Sequence, residues 1–160
     1  MSSSRHGLWL ALLAIAPVLA ASALGGWATY PQIGGWYAGL VKPSFNPPNG
    51  VFGPVWTTLY AMMAFAFWRV LRLPAGTPGR LAAIFAFLAQ IIFNTLWSFA
   101  FFAARSPAAG LVVIVALWVT IVATILTFAR LDRAAAWLLA PYLAWVSFAA
   151  ALNFAIWKLN

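Results

Sequence analysis

The sequence predicts an all-α membrane protein: a bundle of five transmembrane helices whose long first loop forms a lid. Of the 160 residues, 66% are hydrophobic and only 6% are charged, whereas a soluble domain carries about 25% charged residues. The chain contains five apolar runs, each near the length of about 20 residues that a helix needs to cross a bilayer. Only helices and closed barrels satisfy their backbones in lipid, and runs of this length fit helices.

The predicted organisation is a single domain, residues 1–160, that starts with a short polar tail, residues 1–6. The predicted helices cover residues 7–28, 51–73, 80–104, 108–129 and 134–157, and the lid loop covers residues 29–50. The fourth run is rich in Val, Ile and Thr, which favour strands in water, but backbone hydrogen bonding in lipid overrides that preference. In the fifth run Pro141 is expected to kink the helix.

The first apolar run has a second interpretation, as a cleaved signal peptide. Arg5 precedes the run, and Ala21-Ser22-Ala23 resembles a cleavage site. Because the run continues beyond that site and is long for a signal peptide, a retained transmembrane helix is favoured.

The positive charges in the short loops predict how the bundle is oriented in the membrane. Cations concentrate on the cytoplasmic side of a membrane protein. Six cations lie on the side of the N terminus and three on the other, which favours a cytoplasmic N terminus. The six are Arg5, Arg69, Arg72, Arg80, Arg130 and Arg133, and the three are Lys42, Arg105 and Lys158.

Composition excludes several functions. The formal net charge is +8, but the cations are spread over the segment ends, so a nucleic-acid surface is not indicated. With no cysteine and one histidine, neither a disulfide framework nor a cluster of Cys or His metal ligands can form. The chain has one acidic residue, no phosphate-binding loop and no Ser-His arrangement, so conventional acid–base or hydrolytic catalysis has no residues to perform it.

The stretch from Trp36 to Tyr60 is the most distinctive part of the chain. It holds four prolines, a Trp-Tyr pair and a single cation, Lys42. Proline fixes φ and pushes the residue before it out of the helical region, so we expect no helix before about Pro54. Beyond Pro54 large side chains recur at helical spacing, which predicts that a rigid aromatic loop leads into an apolar helix.

Polar residues inside the apolar runs are candidates for function, because they are costly in lipid. Gln90, Asn94, Trp97 and Phe101 follow one another at spacings of four, three and four, so they share one helical stripe. In the last run Trp145, Ala149 and Leu152 share a face, with a small residue between two large ones.

Each of these residues also has a purely structural interpretation. Gln90 and Asn153 could simply bond neighbouring helices, as amides do in membrane bundles, whereas Asn94 beside Trp97 favours a pocket. Trp56 and Trp145 could instead be interfacial residues. Lys42 could be a snorkelling cation, and Asp132, between Arg130 and Arg133, is expected to form a loop ion pair.

Together these residues resemble the TspO/MBR translocator family, which includes the peripheral-type benzodiazepine receptor. Three motifs in matching order and spacing carry the resemblance, and they cover nearly the whole chain. They are Trp36-Tyr37…Lys42-Pro43…Pro47-Pro48…Phe52-Gly53-Pro54-Val55-Trp56…Leu59-Tyr60, then Gln90…Asn94…Trp97…Phe101-Phe102, then Asp132…Pro141-Tyr142-Leu143-Ala144-Trp145…Phe148-Ala149…Leu152-Asn153.

The resemblance implies a five-helix bundle, usually a homodimer, whose first loop covers a ligand pocket. It implies porphyrins (protoporphyrin IX and haem), isoquinoline carboxamides and benzodiazepines as ligands, with sterols secondary because Phe154 replaces an expected tyrosine. The implied pocket residues are Trp56, Asn94, Trp97, Trp145, Ala149 and Leu152, with Phe52, Gly53 and Val55 at the loop-to-helix junction and Tyr37 and Pro47 in the lid.

The residues are consistent with a flat aromatic ligand. Indole faces can stack on a conjugated ring, the Asn94 amide can bond a ring nitrogen or a carbonyl, and Lys42 could meet a propionate. Without His, Cys or Met among the predicted pocket residues, metal-free porphyrin is favoured over haem, and no cofactor is required.

Two other functions remain alternatives to simple binding or transport. One is light-driven oxidative breakdown of porphyrin, with Trp56 and Trp145 as redox partners, by analogy with the family. The other is a ligand-sensing partner of other membrane proteins. The use of arginine, the composition rich in Ala, Gly and Pro, and the lack of cysteine suggest a bacterial source.

Overall fold

A computed structural model describes the backbone of residues 3–160 and the side chains of residues 7–160. Met1 and Ser2 of the predicted polar tail lie outside the described residues. The helices are α1 (Ser3–Gln32), α2 (Asn49–Leu71), α3 (Arg80–Ser98), α4 (Pro107–Ala129), α5 (Arg133–Leu138) and α6 (Ala140–Leu159). Single π-helical turns extend α1 over Ile33–Tyr37 and α3 over Phe99–Ala103.

The predicted class, an all-α bundle with five membrane-spanning segments, is confirmed. Within the described residues, five helical segments are long and apolar enough to cross a membrane. The fifth segment consists of α5 and α6, which are separated at Leu139, just before Pro141. Proline removes a backbone donor and clashes with the preceding turn, so the predicted kink is a break in the helix.

The lid loop is much shorter than predicted. Residues 29–39 are helical, and only residues 40–48 connect α1 to α2. Pro31, Gly34 and Gly35 suggested an early end to the helix, but the turns that follow bury aromatic rings. Tyr37 is 6% exposed and packs with Phe101 and Phe102 of the second π-helical turn. This long-range burial outweighs the weak local propensity.

The second helix also begins earlier than its proline suggested. α2 starts at Asn49, five residues before Pro54. Asn49 follows Pro48, whose extended backbone (φ −56°, ψ 143°) suits the residue before a helix. Pro54 therefore lies in the second turn, where its missing N–H costs at most one intrahelical bond.

The packing of the bundle differs between its two ends. Away from residues 40–48, aromatic rings fill the core: Phe67 stacks on Phe87 with ring centres 4.0 Å apart, and Phe128 lies 6.0 Å beyond. These rings join α2, α3 and α4. At the other end, which we call the loop end because residues 40–48 lie there, the helices enclose a cavity instead.

An ion pair between Arg69 and Asp132 joins α2 to the start of α5. Arg69 Nε and a terminal nitrogen donate to the two carboxylate oxygens of Asp132 at 2.9 and 3.2 Å. The partner is therefore Arg69, and not the neighbouring arginines that the sequence suggested. Asp132 also caps α5 by accepting from the Ala135 backbone N–H at 3.0 Å. Burial acts to raise the pKa of the Asp132 carboxyl, but Arg69 and the backbone donors outweigh it and hold that pKa below its usual value.

We expect the ion pair to make the folded protein sensitive to acid. A depressed carboxyl pKa stabilises the fold above the ordinary Asp value of about 3.9, and this stabilisation is lost as the pH falls through the lower folded value. Thermal unfolding in detergent should therefore give a constant Tm from pH 7 to about 5 and a falling Tm below about 4. Asp132→Asn keeps the cap and removes the charge, so it should lower the Tm at pH 7 and flatten its acid dependence. An unchanged acid dependence in this variant would contradict the assignment.

Candidate functional site

The loop end of the bundle contains a cavity of about 370 Å³ between α1, α2, α3 and α6. This volume lies within the range of about 300–1,000 Å³ that is usual for small-molecule sites. Nine of the eleven residues predicted from the sequence line the cavity: Tyr37, Phe52, Gly53, Trp56, Asn94, Trp97, Trp145, Ala149 and Leu152.

The other two predicted residues lie elsewhere. Pro47 is in the loop, where its carbonyl accepts a hydrogen bond from the Asn46 amide at 3.1 Å. Val55 packs against the hydrophobic core from α2. Neither is among the residues that line the cavity.

Three tryptophans from three helices form the aromatic walls. The ring of Trp56 on α2 lies 5.4 Å from that of Tyr60. Trp97 on α3 stacks on Phe101 at 5.4 Å, and Trp145 on α6 meets Phe52 edge-on at 5.8 Å. Aromatic pairs at such separations stabilise one another by about 0.5–1.5 kcal/mol, so these walls are held in place before any ligand arrives.

A directed chain of hydrogen bonds runs along the floor of the cavity. Tyr60 donates to Asn94 Oδ1, and Asn94 Nδ2 donates to the Tyr142 hydroxyl, both at 2.9 Å. The Tyr142 hydroxyl in turn donates to Gln90 Oε1 at 2.9 Å. The chain joins α2, α3 and α6, so Asn94 both lines the cavity and links helices. Gln90 bonds across helices, as its structural interpretation predicted.

A second polar contact fixes the plane of one indole. Trp97 Nε1 donates to Asn153 Oδ1 at 3.0 Å, and Asn153 Nδ2 donates to the Pro107 carbonyl at 2.7 Å. Asn153 thus connects α3, α6 and the start of α4. Asn153 therefore links helices, as its structural interpretation predicted. It also lines the cavity.

The wall formed by α1 was not predicted. It consists mainly of small residues and two larger ones near the loop end: Ser22, Gly25, Gly26, Thr29, Tyr30 and Ile33. A Cβ at Gly25 would lie 3.2 Å from Ser98 Oγ, so the small residue allows α1 to approach α3 closely. Spacings of three and four between the small residues from Ser22 to Thr29 are the one signal that could have indicated this wall.

The cavity lining carries no charge among its described residues. Lys42, a candidate partner for an acidic ligand group, does not line the cavity. Its Nζ donates to the Leu40 carbonyl at 3.1 Å and lies 4.6 Å from the centre of the Tyr37 ring. Lys42 therefore caps the C-terminal end of the first helical segment, where a positive charge interacts favourably with the free backbone carbonyls.

The fold and the cavity together define a multi-pass integral membrane protein with an aromatic, uncharged internal cavity. The chain matches the TspO/MBR family over residues 13–158 and belongs to that family.

Similar proteins come from bacteria, archaea and animals. The tryptophan-rich protein TspO of Chlorobaculum tepidum is 48% identical over 131 residues, which cover 81% of this chain and 83% of that protein. A protein of the same description from Archaeoglobus fulgidus is 41% identical over 91% of this chain and 94% of its own. The human translocator protein is 37% identical over 78% of this chain and 75% of its own.

Proposed function

We propose that this protein binds planar aromatic molecules, metal-free porphyrins foremost, in the cavity between α1, α2, α3 and α6. The observation that carries the proposal is the convergence of Trp56, Trp97 and Trp145 on one uncharged cavity. A conjugated ring can stack on indole faces or meet them edge-on. Smaller flat ligands of the isoquinoline carboxamide or benzodiazepine type would use the same walls.

The Asn94 amide supplies polar recognition within these walls. A carboxamide has two N–H donors and two acceptor lone pairs. Tyr60 and Tyr142 occupy one acceptor and one donor position of Asn94. One donor and one acceptor position remain for a ring nitrogen or a carbonyl of the ligand. Because its partners fix the amide, it would offer these groups in a defined orientation.

The choice of a metal-free porphyrin follows from the residues of the lining. Haem iron is held in proteins by side chains such as His, Cys, Met or Tyr. The described lining has no His, Cys or Met, and two of its three tyrosines, Tyr60 and Tyr37, donate their hydroxyl groups to Asn94 and Asn46. The third, Tyr30, is 74% exposed at the edge of the cavity. The enclosed part of the lining therefore offers no uncommitted axial ligand to iron, whereas stacking requires no metal.

Binding is the step that the other functions in this family share. Relatives bear the names translocator protein and tryptophan-rich sensory protein, and a carrier and a sensor both need a ligand site. The two can be separated in sealed vesicles, since a carrier moves porphyrin across the bilayer whereas a sensor only retains it.

A titration with protoporphyrin IX in lipid nanodiscs tests the proposal. We expect saturable binding, followed by porphyrin absorbance, and a Kd about tenfold higher for Trp145→Ala, which corresponds to about 1.4 kcal/mol for one lost aromatic wall. Trp137→Ala is the matched control, because Trp137 is 74% exposed on α5 and outside the cavity lining. Binding that never saturates, or an equal loss in both variants, would overturn the proposal.

A light-driven oxidation is the second candidate function. Trp56 and Trp145 line the same cavity, and Trp56 lies within 6.3 Å of two tyrosine rings, so aromatic electron donors surround the site. Dioxygen would be the oxidant: Trp56 lends an electron to the excited macrocycle, and the resulting porphyrin radical anion adds dioxygen at one carbon bridge. The electron then returns to the Trp56 radical cation, the C=C and O–O bonds break, and two carbonyls form. The bound porphyrin should then bleach under light only when dioxygen is present, and Trp56→Phe should slow the bleaching. Bleaching at the same rate in that variant would overturn this candidate.

A further inference from the structure

The cavity is open on the side between α1 and α2. Ser22 and Tyr30 from α1, and Gly53 and Thr57 from α2, line it and are exposed. On the opposite wall, formed by α3 and α6, no lining residue is exposed, and five are at most 6% exposed: Asn94, Phe101, Leu152, Asn153 and Ile156. The exposed residues of the opening carry no charge, and three of the four are small.

The opening extends from near the loop end of α2 to the middle of that helix. Gly53 and Thr57 lie 4 and 8 residues from Asn49, and Tyr60, at the inner edge of the opening, lies 11 residues from both Asn49 and Leu71, the two ends of α2. At 1.5 Å per residue this places Tyr60 about 16 Å from either end of the helix. The hydrocarbon core of a bilayer is about 30 Å thick, so the inner part of the opening, at Thr57 and Tyr60, faces lipid tails rather than water.

An apolar groove continues from the opening along the same two helices. A second cavity of about 600 Å³ shares Ser22, Thr57 and Tyr60 with the first. Its other lining residues are all apolar or aromatic: Ala11, Ala14, Ile15, Val18, Leu19, Ala61, Ala64, Phe65 and Trp68. The cavity and the groove therefore form one continuous path from the middle of the bilayer to the three tryptophans.

Contacts of the loop narrow the side of the cavity that faces it, where Asn49 and Gly50 are the exposed lining residues. Tyr37 is buried beneath it and donates to Asn46 Oδ1 at 3.1 Å. Asn160 pins the loop through two bonds at 3.0 Å: its Oδ1 accepts from the Val41 N–H, and its Nδ2 donates to the Val41 carbonyl. A ligand arriving from water would have to pass this narrowed side, whereas one arriving from lipid meets the opening between α1 and α2.

We infer that the cavity is loaded sideways from the bilayer, through a lateral portal between α1 and α2 whose outer part is the apolar groove. The portal takes planar, apolar molecules already dissolved in the lipid. This inference rests on the proposed function, since it concerns how the ligand reaches that same cavity. A portal governs the rates of binding and release without touching the bound ligand, and this property makes it testable separately from the site.

A reversible block in the groove tests the portal. Ala61 is exposed and lines the groove but not the ligand cavity. The chain has no cysteine, so Ala61→Cys provides a unique thiol for a biphenyl methanethiosulfonate label. In nanodiscs with protoporphyrin IX, we expect the label to lower the association and dissociation rate constants by the same factor, tenfold or more, with Kd unchanged. Dithiothreitol should restore both rates, which also shows that the fold was intact.

The matched control is Ala123→Cys, which carries the same label on an exposed position of α4 that lines neither cavity. Its rates should stay within twofold of the unlabelled protein. If the label at position 61 leaves the association rate as unchanged as the control label does, or changes only Kd, the portal is overturned and the binding proposal stands. Absence of saturable binding in the unmodified protein would instead overturn the proposed function.

Release of the loop gives an independent readout. Asn160→Ala removes both bonds to Val41, and it should leave the association rate constant unchanged if ligand arrives from lipid. Association several-fold faster in this variant would mean that the loop limits access from water, and would overturn the inference.

Discussion

Replacing Tyr142 with phenylalanine should destabilise the protein by about 2–6 kcal/mol, because two buried polar groups lose their partner at about 1–3 kcal/mol each. The Tyr142 hydroxyl accepts from Asn94 and donates to Gln90. All three residues are buried, with exposures of 1–4%. Since phenylalanine fills the same space, the loss is one of hydrogen bonding and not of packing. For a chain of this size the Tm should fall by roughly 5–25 °C.

The matched variant is Tyr60→Phe, at the other end of the same chain of bonds. Tyr60 only donates, to Asn94 Oδ1, and it is partly exposed beside the cavity. Its loss should lower the Tm by less than half as much. Thermal unfolding of both variants in one detergent makes the comparison, and equal losses would mean that Tyr142 is not the central member of the network.

Replacing Gly110 with alanine should also destabilise the protein, by about 1–3 kcal/mol, as expected for an overpacked interior. A Cβ at this position would lie 2.8 Å from Asn153 Oδ1 and 2.9 Å from a ring carbon of Phe101. Neither neighbour can withdraw easily. The Asn153 amide is held by Trp97 and Pro107, and Phe101 stacks on Trp97. The methyl group should therefore also disturb the wall of the cavity and weaken porphyrin binding.

The sign of this effect is informative, because alanine normally stabilises a helix relative to glycine by about 1 kcal/mol. Gly34 lies in the π-helical turn after α1, and a Cβ there would meet nothing within 4 Å. Gly34→Ala should therefore leave the Tm unchanged or raise it slightly. A gain in Tm for Gly110→Ala as well would show that α4 moves away from α6 and the second π-helical turn at no cost.

The sequence was most informative where composition and period decide the structure. Five apolar runs with little charge can satisfy their backbones in lipid only as helices, so the number of spans was predictable. The stripe of Asn94 and Trp97 was predictable because large and polar residues recur there at helical spacing. The face of Trp145, Ala149 and Leu152 was predictable because it places a small residue between two large ones. These residues do line one cavity.

The sequence was least informative where contacts between residues far apart in the chain determine the local structure. Local signals at Pro31, Gly34 and Gly35 predicted a loop, but burial of Tyr37 against α3 extends the helix. The α1 wall of the cavity consists mainly of small residues without charged or aromatic side chains, so no motif indicated it. In the same way Asp132 pairs with Arg69, 63 positions away, rather than with its sequence neighbours.

The two π-helical turns set a constraint on residue number rather than residue type. They pack on each other, with the ring centres of Trp36 and Phe101 5.6 Å apart, and each holds one residue more per hydrogen-bonded turn than an α-helix does. Since successive residues of an α-helix are rotated by about 100°, removing one residue from either turn would swing every later side chain of that segment by this angle. The turns thus fix the rotational phase at which Tyr37 and Phe102 meet. Substitutions at Gly34 or Gly35 are tolerated, because a Cβ at either position would meet nothing within 4 Å. An insertion or deletion in one π-helical turn, in contrast, needs a compensating change in the other.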